Sequence, residues 1–237
     1  IYGRLAQTRA ETAERAARDA AGEAARAQRL TEAARANAED LLGFVLTDLE
    51  EQLTDFGQLP IQFEVSRTAV AYYAGLPPEL RNAQTRLAHA RALANLGAIF
   101  EVQGKTADAH RTLDEAVAMF EAVAKSEPLK PAKVIEFAQV LVRLARLHSS
   151  EVQFQTSVAV CEQAERLLLP LKDTPEIRAK VLRTLATVLD RKAYGVMRTG
   201  RSKEAIPIYQ QAITHAEEAD RLAPSRRPGL QAASIMP

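Results

Sequence analysis

Much is scarce in this sequence, and each scarcity closes a class of explanation. Tryptophan is absent and aromatics make up only 5% of the chain, so aliphatic side chains must build the core. The single cysteine, Cys161, permits neither an intrachain disulfide nor a cysteine-based metal site. No sign of charge dominates: 31 Lys plus Arg against 30 Asp plus Glu leave +1. Nucleic-acid binders need clustered positive charge, so no nucleic-acid partner is expected. Long apolar runs are missing. The greasiest stretch, Leu41 to Leu46, holds Gly43 and falls far short of the ~20 residues that span a bilayer. Direct membrane insertion is not expected, and no signal peptide is visible. Strand formers never cluster with period-two alternation. Ile1 is not a start methionine, which leads to the expectation of a fragment or a processed chain.

What is abundant is alanine and leucine interleaved with charge. Alanine loses no side-chain entropy in a helix and leucine loses little, so the composition favours an all-α fold. The first segment, Tyr2 to Phe56, reads as one long helix. Ala6, Ala10, Ala13, Ala17, Ala20, Ala24, Ala27, Leu30, Ala34, Ala38 and Leu41 step by three and four, close to a coiled-coil seam. Glu11–Arg15 and Glu14–Arg18 have the favourable acid-first helical spacing. Leu42, Leu46, Leu49, Leu53 and Phe56 continue as a greasier stripe. An alanine seam buries little area and holds weakly alone. Coiled coil, packed helix and solvated lone helix all fit it. Gly57 and Pro60 end this helix, and Ile61 to Leu76 forms a shorter one closed by Pro77-Pro78.

From about Glu79 the chain repeats. Leu93, Leu141 and Leu189 stand 48 residues apart. The same shift aligns Gly97, Ala145 and Ala193, then Ala109, Ser157 and Ala205, then Ala116, Ala164 and Ala212. It also aligns Leu113, Cys161 and Tyr209, and sets Val152 between Gly104 and Gly200. Small residues let two antiparallel helices approach, and large apolar neighbours fill the rest. The glycine column marks the turn between the helices. Prolines fall between repeats at Pro128, Pro131, Pro175 and Pro224.

These columns resemble the tetratricopeptide repeat (TPR). Leu93, Leu96-Gly97, Phe100, Gly104, Ala109 and Ala116 carry the likeness in the first repeat. Gly200, Ala205, Tyr209, Ala212 and Pro224 carry it in the third. The middle repeat departs, with His148 at an aromatic position and Ser157 at an alanine position. The family period is about 34 residues, so a period of 48 lengthens each helix by roughly two turns. The likeness runs from about Leu87 to Leu222. Upstream, Phe44, Leu46, Asp48-Leu49, Leu53, Gly57, Leu59, Ala71 and Tyr72-Tyr73 resemble a join found in large bacterial signalling proteins. There an Ala/Glu/Arg-rich helix leads into such repeats, often after a Ser/Thr kinase, TIR, caspase-like or NTPase domain. A cryptic repeat over Leu42 to Leu76 is also compatible with the register, although Leu49 takes the family's glycine column.

The resemblance implies a long N-terminal helix followed by a right-handed α-solenoid of antiparallel helix pairs. Residues 1–41 form the Ala-rich helix and candidate coiled coil, 42–78 a connecting pair, 79–222 three repeats, and 223–237 a flexible tail. It implies a non-catalytic protein–protein interaction module, the partner-sensing or scaffold region of a larger bacterial signalling protein. The alternative is an oligomerisation element acting through the N-terminal helix, hence a candidate homo-oligomer. The expected location is the bacterial cytoplasm, or outside it where a membrane span lies upstream in the parent. The family's first helices line a concave face, expected here at Arg91, Ala94, Ala98 and Glu101, then Gln139, Val142, Arg146 and Ser149, then Thr187, Asp190, Tyr194 and Met197. Arg91, Arg146 and Tyr194 would hold an acidic or C-terminal peptide, since Arg forks match carboxylates and Tyr adds rigid contact area. The Lys/Asn carboxylate clamp of chaperone-binding relatives is not reproduced. The competing reading is that all of these are ordinary exposed residues.

Catalytic chemistry finds no foothold. Gly104-Lys105-Thr106 ends like a phosphate-binding loop, but Ile99 stands where the first glycine belongs and no strand precedes it. None of His89, His110, His148 and His215 has zinc-motif spacing; His110 is expected to pair with Asp114, and His148 to be packed. Cys161 falls in a core column and is expected to be inert. Glu50-Glu51 and Glu217-Glu218 read as solvated faces. No cofactor, metal or catalytic residue is expected.

Overall fold

The computed structural model describes residues 59–223 together with Glu14, Arg18, residues 20–26, Gln28, Arg29, Glu32 and Arg35. The chain divides into two compact units, Ile1–Phe56 and Gly57–Pro237. Every described residue of the first unit is helical, and all but Arg35 are exposed. Glu14 and Arg18 form the expected ion pair. Ala20 and Ala24 are the members of the alanine seam within the described residues; the rest of the seam and the leucine stripe lie outside them. So do most of the signalling-type join, the front of the cryptic repeat and the tail beyond Ala223.

The second unit is all-helical among the described residues. Helix α1 spans Leu59–Ala74, two residues ahead of the expected start, because proline fits the first turn, where its missing N–H has no helical partner. A short 3-10 turn, Pro78–Leu80, leads to α2, Ala83–Val102. Asn82 caps α2 by accepting from the Thr85 N–H at 3.0 Å. Then follow α3 (Thr106–Ser126), α4 (Pro131–Ser150), α5 (Phe154–Leu168), α6 (Arg178–Arg198) and α7 (Ser202–Leu222). Helix α5 is shorter than its counterparts and runs into a 3-10 turn at Leu169–Leu171 that contains Pro170.

Three residues join α2 to α3, α4 to α5 and α6 to α7. Helices this long can lie side by side across so short a turn only if they run antiparallel. Each turn closes with the same bond: Lys105 N–H to Phe100 O at 2.8 Å, Gln153 N–H to His148 O at 2.8 Å, and Arg201 N–H to Val196 O at 3.3 Å. That bond needs a left-handed residue just before its donor. Gly104 (φ 70°), Val152 (φ 66°) and Gly200 (φ 84°) supply it.

Small residues set the approach within and between pairs. A Cβ added at Gly97 would meet Thr112 Oγ1 at 2.7 Å and Leu113 Cγ at 2.8 Å. A Cβ at Gly195 would meet Val158 Cγ2 at 2.7 Å. Leu93, Leu141 and Leu189 are buried, as are Ala109, Ser157 and Ala205. One continuous core runs from Leu87 through Phe120, Phe137 and Cys161 to Val188. Phe120 and Phe137 stack across α3 and α4 with centroids 5.0 Å apart and rings 1° from parallel. Helix α7 joins through a smaller cluster of Ala193, Val196 and Ala205. The first helices of successive pairs, α2 with α4 and α4 with α6, also touch directly. Side-chain links Arg91–Glu136, Arg143–Asn95 and Arg146–Glu101 climb both helices together, so α2 and α4 run parallel.

Candidate interaction surface

The residues expected to line a groove sit on α2, α4 and α6, and their exposure changes from pair to pair. On α2, Ala94 is fully buried, Ala98 is half-buried, and Arg91 and Glu101 expose only 20% and 16% of their side chains. On α4, Gln139 and Arg146 are exposed, Val142 is half-buried, and Ser149 is buried, donating to Ser157 Oγ at 2.8 Å. On α6, Thr187, Asp190 and Met197 are exposed and Tyr194 is half-buried. A column that is sealed at Ala94 is therefore open at Asp190.

The Arg91, Arg146 and Tyr194 trio does not stand ready for a carboxylate. Arg91 pairs with Glu136, which also receives Lys133 Nζ at 3.0 Å. Arg146 forks onto Glu101, Nε to Oε1 at 3.0 Å and Nη2 to Oε2 at 2.7 Å. Both guanidinium groups bind α2 to α4 instead. Tyr194 Oη accepts from Arg198 Nη1 at 2.6 Å. Pattern placed the arginines on one face, but carboxylates 45 residues away in the chain already take up their donors.

A cluster of rings and guanidinium groups lies around the half-buried Tyr194, with Arg198 and Met197 exposed and Phe154 buried beneath. The Tyr194 ring meets Phe154 edge-on, with centroids 6.1 Å apart. The Arg198 guanidinium lies 4.4 Å from the Phe154 centroid and 5.6 Å from that of Tyr194. Arg191 approaches the Tyr194 ring at 5.8 Å, and Met197, three residues beyond Tyr194 in the same helix, is exposed. Arg, Tyr and Met are enriched at the centres of protein interfaces. Sequence reading found Tyr194 and Met197 but not Phe154 or Arg198, which the α4–α5 turn and the end of α6 bring together.

The reactive-looking side chains fall into structural places. Cys161 is buried, and burial pushes its thiol up to about 12, so almost no thiolate is present at neutral pH. Gly104-Lys105-Thr106 is the turn between α2 and α3, with Lys105 Nζ 5.7 Å from the Phe100 centroid. An open cleft of about 500 Å³ lies between α1, α2 and α3, lined by Tyr73, Arg81, Arg86, His89 and Glu115. Arg81 is held within it by donating to Leu76 O at 2.7 Å and Ala74 O at 3.1 Å, closing the end of α1. Burial holds His89 below its ordinary range, with Glu115 opposing the shift.

His110 departs from expectation. Its Nε2 lies 2.6 Å from Glu151 Oε2 rather than beside Asp114, and its ring faces that of His148 at 5.1 Å. No helix among the described residues is long and apolar enough to cross a membrane. No protein-family model and no curated protein matches this chain.

Proposed function

We propose that this chain is a non-catalytic protein–protein interaction module, a right-handed superhelical stack of TPR-like helix pairs. We further propose that it serves as the partner-sensing or scaffold region of a larger bacterial signalling protein. One observation carries the reading: the first helices of successive pairs touch, α2 runs parallel to α4, and the column Ala94, Val142, Asp190 goes from buried to exposed along them. The turns at Gly104, Val152 and Gly200, 48 residues apart, support a repeating unit. Stacked units of this kind make extended surfaces suited to recognising a partner. The partner contact centres on Tyr194, Arg198 and Met197, backed by the buried Phe154 ring, with Thr187, Asp190 and Gln139 at its edge. A protein or peptide segment with an apolar or acidic anchor fits this mixture of aromatic faces and guanidinium groups.

Affinity capture with the full chain tests it. Tyr194→Ala with Arg198→Ala should lower recovery of the partner at least tenfold while helical content and melting temperature stay near those of the parent. Equal recovery would remove this surface from the reading. A second role, oligomerisation through the N-terminal unit, is favoured by the uncovered alanines Ala20, Ala21, Ala24 and Ala25. Light scattering on the chain and on its Ala20→Asp, Ala24→Asp variant separates the two. An identical monomer mass for both ends that role.

A further inference from the structure

The end of α4 carries a cluster that neither the core nor the proposed partner surface uses. His110 projects from α3, His148 from the last turn of α4, and Glu151 caps α4. One ligating atom from each lies within 4.8 Å of the other two. His148 Nδ1 is 2.9 Å from Gln153 Oε1. An amide oxygen only accepts, so Nδ1 is the donor of this bond and Nε2 is the ring nitrogen left to face a metal ion. Metal-bound imidazoles ordinarily donate their second N–H in this way, which fixes the tautomer and raises the basicity of the ligating nitrogen.

The rest of the molecule supplies a control. Forty-eight residues beyond His110, His148 and Glu151 stand Val158, Val196 and Thr199. There the corresponding junction, between α5 and the end of α6, is apolar. Val196 is buried with Ala193 and Ala205, and Val158 packs on them. Forty-eight residues earlier stand Gln62, Phe100 and Gln103. The helix arrangement therefore does not require imidazole or carboxylate at these positions. A hydrogen bond accounts for His110 with Glu151, but not for a second histidine oriented by its own glutamine against the first.

We propose that His110, His148 and Glu151 form a binding site for a divalent transition-metal ion of the zinc class, tying the first helical pair to the second. Two imidazoles and one carboxylate form a donor set that suits zinc, leaving a fourth tetrahedral position for water. Bonds of about 2.0–2.1 Å set ligating atoms roughly 3.3 Å apart. The His110–Glu151 contact then opens slightly while His148 swings inward. Side chains 24% and 28% exposed have room for that movement. The sequence hid the site because its ligands come from two helices and a turn, 38 and 41 residues from His110.

Calorimetric titration of Zn²⁺ into the chelator-treated full chain tests the proposal, with Co²⁺ absorption reporting the ligand field. One equivalent should bind, and the melting temperature should rise by a few degrees once free Zn²⁺ exceeds Kd by about 100-fold. The variant His110→Val, His148→Val, Glu151→Thr copies the other junction. It should fold, melt near the parent in chelator, and lose that equivalent. Gln153→Leu leaves all three ligands in place and should weaken affinity roughly 10–100-fold. His89 and His215 remain in every variant and report background uptake. No uptake by the parent at about 100 μM Zn²⁺ overturns the proposal, as does unchanged binding in both variants.

Discussion

The two junctions between successive helical pairs solve the same packing problem with different chemistry. Between the first and second pairs the buried Phe120–Phe137 stack is bordered by polar ties: Arg91–Glu136, Arg146–Glu101, Arg143 to Asn95 at 2.6 Å, and Gln163 to Glu121 at 3.0 Å. Between the second and third, Val158 presses on Gly195, Val196 fills the gap, and Phe154 meets Tyr194, with Lys192–Glu165 as the main ion pair. Small residues set how closely the helices approach. The residues around them decide whether the seam reads as charge or as shape. Apolar contact stabilises in proportion to buried area but discriminates little, whereas paired charges add register because mispairing strands a charge.

The largest expected effect lies at the apolar seam. Gly195→Ala sets a Cβ 2.7 Å from Val158 Cγ2 and 3.3 Å from the Phe154 carbonyl oxygen. The gain in helix propensity, about 1 kcal/mol, is outweighed by overpacking against a stiff β-branched side chain. A net loss of about 1–2 kcal/mol is expected, or roughly 2–8 °C in melting temperature. Val158→Ala in the same chain should recover part of it. Strict additivity in the thermal melts would show that the two residues do not press on one another.

Next comes the turn shared by all three pairs. Gly104→Val places a β-branched residue at φ 70°, at a loss of about 1–2 kcal/mol. Val152→Gly removes the same strain at φ 66°. Val152 is exposed, so little packing goes with it, and a net gain of roughly 0.5–1 kcal/mol is expected after the extra freedom of the unfolded chain. Urea midpoints measure both, and effects of the same sign would contradict the equivalence of the turns.

At the polar seam, Arg91→Ala leaves Glu136, only 15% exposed, with Lys133 alone. Allowing for partial solvent screening, the loss should be about 1 kcal/mol. A double-mutant cycle with Glu136→Gln should show coupling, and zero coupling would mean that the bridge contributes no stability.

The smallest effect is a pH slope. Burial lowers the His89 pKa, so the folded state favours neutral imidazole. Stability contributed this way is complete above the ordinary histidine value. It is lost as pH falls below that value, where the unfolded chain takes up the proton first, and levels off once the lowered folded pKa is passed. His215 is lowered by burial in the same direction, so the comparison must isolate one site. His89→Gln should flatten the fall in stability between about pH 7.5 and pH 5.5 relative to the parent. An identical slope would place the titration elsewhere.

Particular residues show what was legible from sequence. Leu93, Leu141 and Leu189 were readable as core, and all three are buried, because helical period alone assigns a face. Gly104 and Gly200 marked turns that glycine favours; Val152 was legible only by its register, since its own chemistry argues against a left-handed backbone. Ala94, Val142 and Asp190 occupy one column, yet they run from sealed to open. A period cannot report what a neighbouring helix covers. The ion pairs of Arg91 and Arg146 and the meeting of His110 with Glu151 were invisible for a related reason. Their partners stand 41 to 45 residues away, on other elements.

By itself, then, the sequence determined helix, face and turn. These depend on steric and apolar preferences within a few residues, which spacing records directly. Tertiary structure decided which arginines were already engaged, which aromatic faces met at Tyr194, and that two histidines and a glutamate converge at the end of α4. Such convergence depends on how neighbouring helices are laid side by side, a relation between distant segments that no local period encodes.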